Sequence, residues 1–121
     1  MKHTIEGFSQ KVAKSFNKKV LANGRKLTIK LDAIDLLILR WFADCFHEMK
    51  KYTKNDKDYV LVDYKSVIEH IPLLPLTEIP FYKRLQKMVY FGILAQLSRG
   101  NNDPLPYYSF GDKYTRLIKV P

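Results

Sequence analysis

DYKSVIEHIPLLPLTEIPFYKRLQKMVYFGIL, residues 63–94, reads as two helices around a proline-bounded turn. Asp63 can cap the first helix, because its short carboxylate can accept from the orphan backbone N–H groups of a first turn. Val67, Ile68 and Ile71 then recur at helical spacing. Pro72 closes the helix, since the residue before a proline is pushed out of the α region. Leu73, Leu74 and Pro75 form the turn. Thr77 is expected to cap the second helix, and Glu78 suits the positive end of its dipole. Pro80 falls in the first turn, where its missing N–H had no partner to lose. Phe81, Leu85 and Met88 share a face and predict the buried side. Gly92 stops the helix in the left-handed region.

That wheel leaves Glu78, Tyr82, Lys83, Gln86, Lys87 and Tyr90 on the outside. Basic, amide and phenolic groups on one helical face can meet phosphates and base edges. The plain alternative is a solvated charged face. A hairpin follows: residues 93–98 read as a strand, 99–106 as a loop and 107–110 as the return strand. Its loop carries Arg99, Asn101 and Asn102, placed to touch backbone or minor groove, although Asp103 opposes this. Helix, turn, helix and hairpin is the order of a winged helix-turn-helix. The expected fold class is therefore mostly α with a small β-sheet (α+β), a three-helix core with a wing hairpin.

Working back along the chain, LDAIDLLILRWFADCFHEMKKY (residues 31–52) is a helix capped by Asp32. Ile34, Leu37, Ile38, Trp41, Phe42 and Cys45 form its stripe, and Leu36, Leu39, Phe46 and Met49 widen it. A helix apolar nearly all round is either a central core helix or an oligomer surface, so a homodimer stays open. Residues 52–58 read as a polar connection. Residues 59–62 read as a short strand that would join the wing in a three-stranded sheet. Residues 113–118 can close the domain with a helical turn, docking Leu117 and Ile118.

The 121 residues suffice for one domain with its own core. One cysteine excludes an internal disulfide and a cysteine metal cluster, and Cys45 reads as a small hydrophobe. No apolar run approaches a membrane span and no signal-peptide core is present, so the expectation is a cytoplasmic protein with no membrane partner. The net charge of +9 is unevenly spread. Residues 1–30 hold eight Lys or Arg against Glu6 alone, whereas residues 31–121 hold thirteen basic and eleven acidic residues. This divides the chain into a basic N-terminal arm (1–30) and a nearly neutral domain (31–121). Basic arms supply phosphate contacts, and Lys18, Lys19, Arg25 and Lys26 are the candidates here. The arm has two readings. In the preferred one, Ser9 caps a helix with Val12, Phe16 and Val20 on one face and Gly24 past its end. In the other, Asn23-Gly24 is the turn of a hairpin pairing residues 19–22 with 25–28.

Catalytic patterns are missing. His3, His47 and His70 lie on separate elements without metal-ligand spacing, so no metal is expected. There is no phosphate-cradling glycine loop and no nucleophile signature, so no cofactor and no enzyme activity are expected. Tyr107 and Tyr108, the residues to check for a nicking nucleophile, lack an accompanying histidine cluster.

LDAIDLLILRWFADCF, YKSVIEHIPLL, KRLQKM, GIL and YYSFGDKYTRLI, in that order, together with IEGFSQ near the start, resemble winged-helix domains of phage- and plasmid-type replication initiation proteins from Gram-positive mobile elements. The likeness covers most of the chain from Leu31 onward. The basic stretch between Gln10 and Leu31 is longer than that group's usual spacing. The resemblance implies origin binding through this domain and recruitment of replication machinery through a C-terminal region absent here. It aligns the group's basic pair with Lys83 and Arg84. The expected function is non-catalytic binding of double-stranded DNA, with Thr77, Tyr82, Lys83, Arg84, Gln86 and Lys87 on the reading helix. The alternatives are a winged-helix transcriptional regulator and a protein–protein interaction module.

Overall fold

Three tight turns decide where strands form. In a computed structural model, which describes residues 4–99 and 103–118, Glu6-Gly7, Asn23-Gly24 and Asn55-Asp56 all have positive φ at both positions. Two successive left-handed residues give the turn whose twist matches antiparallel strands. These turns join β1 (Thr4–Ile5) to β2 (Phe8–Ser9), β3 (Asn17–Ala22) to β4 (Arg25–Lys30), and β5 (Lys51–Lys54) to β6 (Lys57–Leu61).

The long helix preferred for the N-terminal arm is corrected here. Ser9 does cap a helix, its hydroxyl accepting from the Val12 N–H at 3.2 Å. However, α1 (Gln10–Ser15) ends before Phe16, and the hairpin follows it. Six pairs run from Asn17↔Lys30 to Ala22↔Arg25. Asn-Gly favours the left-handed turn, and Val20, Thr28 and Ile29 are β-formers, so local preferences agree on a hairpin. The polar connection expected at residues 52–58 is a second hairpin for the same reason, since Asn and Asp tolerate the left-handed region.

Asp32 caps α2 (Ala33–Cys45) reciprocally: it accepts from the Asp35 N–H while Asp35 accepts from the Asp32 N–H, each at 3.0 Å. A 3-10 turn, Phe46–Glu48, continues the helix. Then come α3 (Tyr64–His70), α4 (Glu78–Tyr90), β7 (Leu94–Arg99), β8 (Asp103–Phe110) and α5 (Tyr114–Ile118). The main sheet is antiparallel with four strands ordered β5-β6-β8-β7, where three were expected. Strands occupy nearly as much of the chain as helices, so the class is mixed α+β, not mostly α.

Thr77 holds the N-cap position of α4, yet its side chain caps nothing. A cap bonds the second or third helical N–H, and Pro80, at the third, has none. The far end of α4 closes as the sequence suggests. Gly92 has φ +79, its N–H reaches the Val89 carbonyl, and Ile93 N–H reaches that of Met88. Gly111 crosses this junction so closely that a Cβ would overlap the Gly92 carbonyl oxygen.

The core gathers Ile38, Leu39 and Phe42 of α2, Val60 of β6, Val67 of α3, Phe81, Leu85 and Met88 of α4, and Leu117 of α5. Ile118, expected to dock, is 46% exposed. Phe8, Ala13 and Phe16 are buried in the same cluster. The boundary drawn at residue 30 therefore cuts through one core, and only the β3–β4 hairpin stands out as an arm.

Candidate nucleic-acid interface

The inner stripe of α4 is as expected, and Glu78, Lys83, Gln86 and Tyr90 are exposed as expected. Its open face carries Ile79, Lys83, Gln86 and Tyr90, at i, i+4, i+7 and i+11. Lys83 is exposed and makes no ion pair or hydrogen bond among the described residues. Tyr82 and Lys87, expected outside, face protein on opposite flanks.

On one flank lies α2. Asp35 is fully buried and accepts from Arg84 at 3.0 Å and Lys87 at 2.5 Å. Arg84 also reaches Asp32 at 2.7 Å. Two carboxylates at the positive end of α2 thus bind two cations of α4, and a buried charge persists only when paired in this way. Burial alone would raise the Asp32 carboxyl. The Arg84 hydrogen bond, the Asp35 N–H and the Arg84 and Lys87 charges outweigh it and hold Asp32 below the usual range. Arg84 and Lys87, both proposed from sequence as DNA contacts, are spent on the fold.

On the other flank lie α3 and the sheet. The Tyr82 hydroxyl accepts from Tyr64 N–H at 3.1 Å and donates to the Val62 carbonyl at 3.3 Å. Tyr64 in turn donates to the Leu76 carbonyl at 2.5 Å, pinning the inter-helix turn. Burial pushes the Tyr82 phenol up, so it stays a neutral hydrogen-bonding group. Gln86 Nε2 donates to the Gln96 side-chain Oε1 at 2.8 Å and to the Tyr108 hydroxyl at 3.3 Å. This amide is exposed but oriented, fixed between α4 and the β7–β8 hairpin. Tyr108 is 2% exposed and its phenol is also raised by burial, which suits packing and not nucleophilic attack.

The basic hairpin is of a different kind. Lys18, Lys19, Arg25 and Lys26 are all exposed, and none has an acidic partner among the described residues. Cross-strand partners share a face. The register therefore puts Lys18, Val20, Leu27 and Arg25 on one side, and Lys19, Leu21, Lys26 and Lys30 on the other. Lys18 stands 5.8 Å from the centre of the Tyr90 ring, so its face continues the open stripe of α4. Beside that contact, Ser15, Asn17, Lys18, Tyr90, Lys113 and Arg116 line a concavity of about 500 Å³ containing three cations and no carboxylate. Lys113 and Arg116 were not singled out as binding residues from sequence. Their only signal was a basic pair in the closing stretch 113–118, and Lys113 lies in the turn just before α5.

Arg99 ends β7, in register with Asp103. Asn101 and Asn102, the other wing-tip candidates, lie outside the described residues. No helix among the described residues is long and apolar enough to cross a membrane. Compared with family models, curated proteins and solved structures, the chain matches none of them.

Proposed function

We propose that this protein is a non-catalytic double-stranded DNA-binding domain of the winged helix-turn-helix type, with α3 and α4 as the helix pair and β7–β8 as the wing. The observation that carries this reading is the meeting of Lys18 with Tyr90. It joins unpaired hairpin cations to the open face of α4, so groups suited to phosphates adjoin groups suited to base edges. A major groove about 12 Å wide admits either a helix or a two-stranded ribbon. A ribbon with Lys18 and Arg25 on one face and Lys19 and Lys26 on the other suits a groove with a phosphate backbone along each wall.

Origin recognition in replication of a phage or plasmid-type element extends this reading and rests on the sequence likeness from Leu31 onward. A transcriptional regulator is the alternative, and the location of the bound site separates them. A protein-interaction module is favoured by one observation: Leu73 and Ile79, at the turn and the start of α4, are 92% and 69% exposed.

The test is duplex binding measured across a salt series. Lys18→Ala/Arg25→Ala and Lys19→Ala/Lys26→Ala should each flatten the slope of log K against log salt, by roughly 0.9 for every phosphate left without its cation. A slope reduced by one pair alone places the hairpin against a single backbone. Salt-insensitive or absent duplex binding by the parent protein rejects the DNA reading in favour of the interaction module.

A further inference from the structure

Cys45, Glu48 and His70 lie on different elements, and in the sequence Cys45 reads as a small hydrophobe and His70 as free of any metal-ligand spacing. Folding brings them together. Cys45 ends α2, Glu48 closes the 3-10 turn and His70 ends α3. One thiol sulfur, one carboxylate oxygen and one ring nitrogen lie within 4.8 Å of one another.

The imidazole is already oriented. His70 Nδ1 lies 2.8 Å from the Ser66 carbonyl, an acceptor only, so the tautomer this contact favours has the proton on Nδ1 and Nε2 open to a metal. A backbone carbonyl holding one ring nitrogen is the support that metal-binding histidines use. The Trp41 ring lies edge-on to the His70 ring, 6.5 Å away between centres. Trp41 and Cys45 are one helical turn apart on α2, so the same face of that helix steadies the imidazole and offers the thiol.

We propose that Cys45, Glu48 and His70 form a binding site for a zinc-like divalent cation, with water as the fourth ligand. Sulfur, nitrogen and oxygen donors together suit zinc and not magnesium or calcium, which take oxygen alone. Tetrahedral zinc ligands sit about 3.3–3.8 Å apart, as follows from metal–ligand distances near 2.0–2.3 Å. The exposed Glu48 side chain can close the remaining ångström by rotation. Cys45 binds as thiolate, so each cation taken up releases the thiol proton to solvent, and affinity rises with pH. One thiolate and one carboxylate neutralise the divalent charge. The bound ion would tie the end of α2 to the end of α3, about 15 Å along α2 from Asp35 at 1.5 Å per residue. This inference is independent of the DNA reading.

Cobalt(II) is the probe, added to the protein kept reduced by a phosphine. One equivalent should give a thiolate-to-cobalt charge-transfer band and the intense visible bands of a tetrahedral site, both bleached by zinc. Cys45→Ser should abolish the charge-transfer band. His70→Asn and Glu48→Gln should each weaken cobalt binding at least tenfold. Glu48 is exposed, so Glu48→Gln keeps the test valid should His70→Asn fail to fold, with circular dichroism as the control. Absence of the charge-transfer band in the parent protein overturns the proposal. So does a band that keeps its affinity in the folded His70→Asn or Glu48→Gln variants, since that would be a lone thiol binding metal.

Discussion

Arg84 and Lys87 on α4, and Lys18, Lys19, Arg25 and Lys26 on the β3–β4 hairpin, are equally basic in sequence but lie in opposite surroundings. The first pair meets a buried carboxylate and is largely withdrawn from solvent. The hairpin cations are exposed and meet no carboxylate among the described residues. A cation already neutralised at short range has little left to offer a polyanion, whereas an unpaired one keeps its full field. What separates a paired cation from an open one is the presence of Asp35, 49 and 52 residues before Arg84 and Lys87.

The sharpest test of that contrast is Asp35→Ala. It strands the largely buried Lys87, leaves Arg84 with Asp32 alone and removes half of the reciprocal cap, and should cost about 3–5 kcal/mol in urea unfolding. The hairpin substitutions should stay within about 0.5 kcal/mol of the parent, as exposed positions do. Equal costs would erase the distinction.

On the open stripe, Lys83→Ala should lose about 1–3 kcal/mol on a selected DNA site and much less on random duplex. Lys87→Ala should instead shift the unfolding midpoint and leave sequence preference unchanged. A Lys87 variant that is stable yet indiscriminate would return that residue to the binding face. Tyr82→Phe should cost on the order of 1 kcal/mol of stability by removing its hydrogen bond to Val62, with no change in the preferred site. The smallest effect concerns acid. Asp32 is held below its usual range, so its folded form binds fewer protons than its unfolded form. Its contribution is complete above about pH 4 and fades as pH falls through the lowered native value. Arg84→Met should remove most of that acid sensitivity, while hairpin variants should keep it.

Local chemistry was legible and long-range pairing was not. Asp63, Pro72 and Gly92 mark helix ends through their own backbone preferences, and the Phe81–Leu85–Met88 stripe needs only helical geometry. Which flank of α4 is covered depends on α2 and the sheet, so Tyr82 and Lys87 could not be placed by a wheel. Asn23-Gly24 announced its hairpin, but Val12, Phe16 and Val20 also fit a helical stripe. Asn55-Asp56 gave a weaker signal because its neighbours are charged. Cys45 and His70 lie 25 residues apart, and no spacing rule joins the ends of two successive helices.

The crossing of Gly111 over Gly92 has a mechanical meaning. Gly111 N–H bonds the Ile93 carbonyl at 2.8 Å, and Lys113 N–H bonds that of Gly92 at 2.9 Å. The end of α4 and the start of α5 are therefore bolted backbone to backbone, with no side chain between them to act as a cushion. Lys113 and Arg116 cannot slide along α4 or tilt away from it without breaking those bonds. The distance from Lys83 to this cationic concavity is a fixed rule, so a ligand spanning both must fit the protein's spacing.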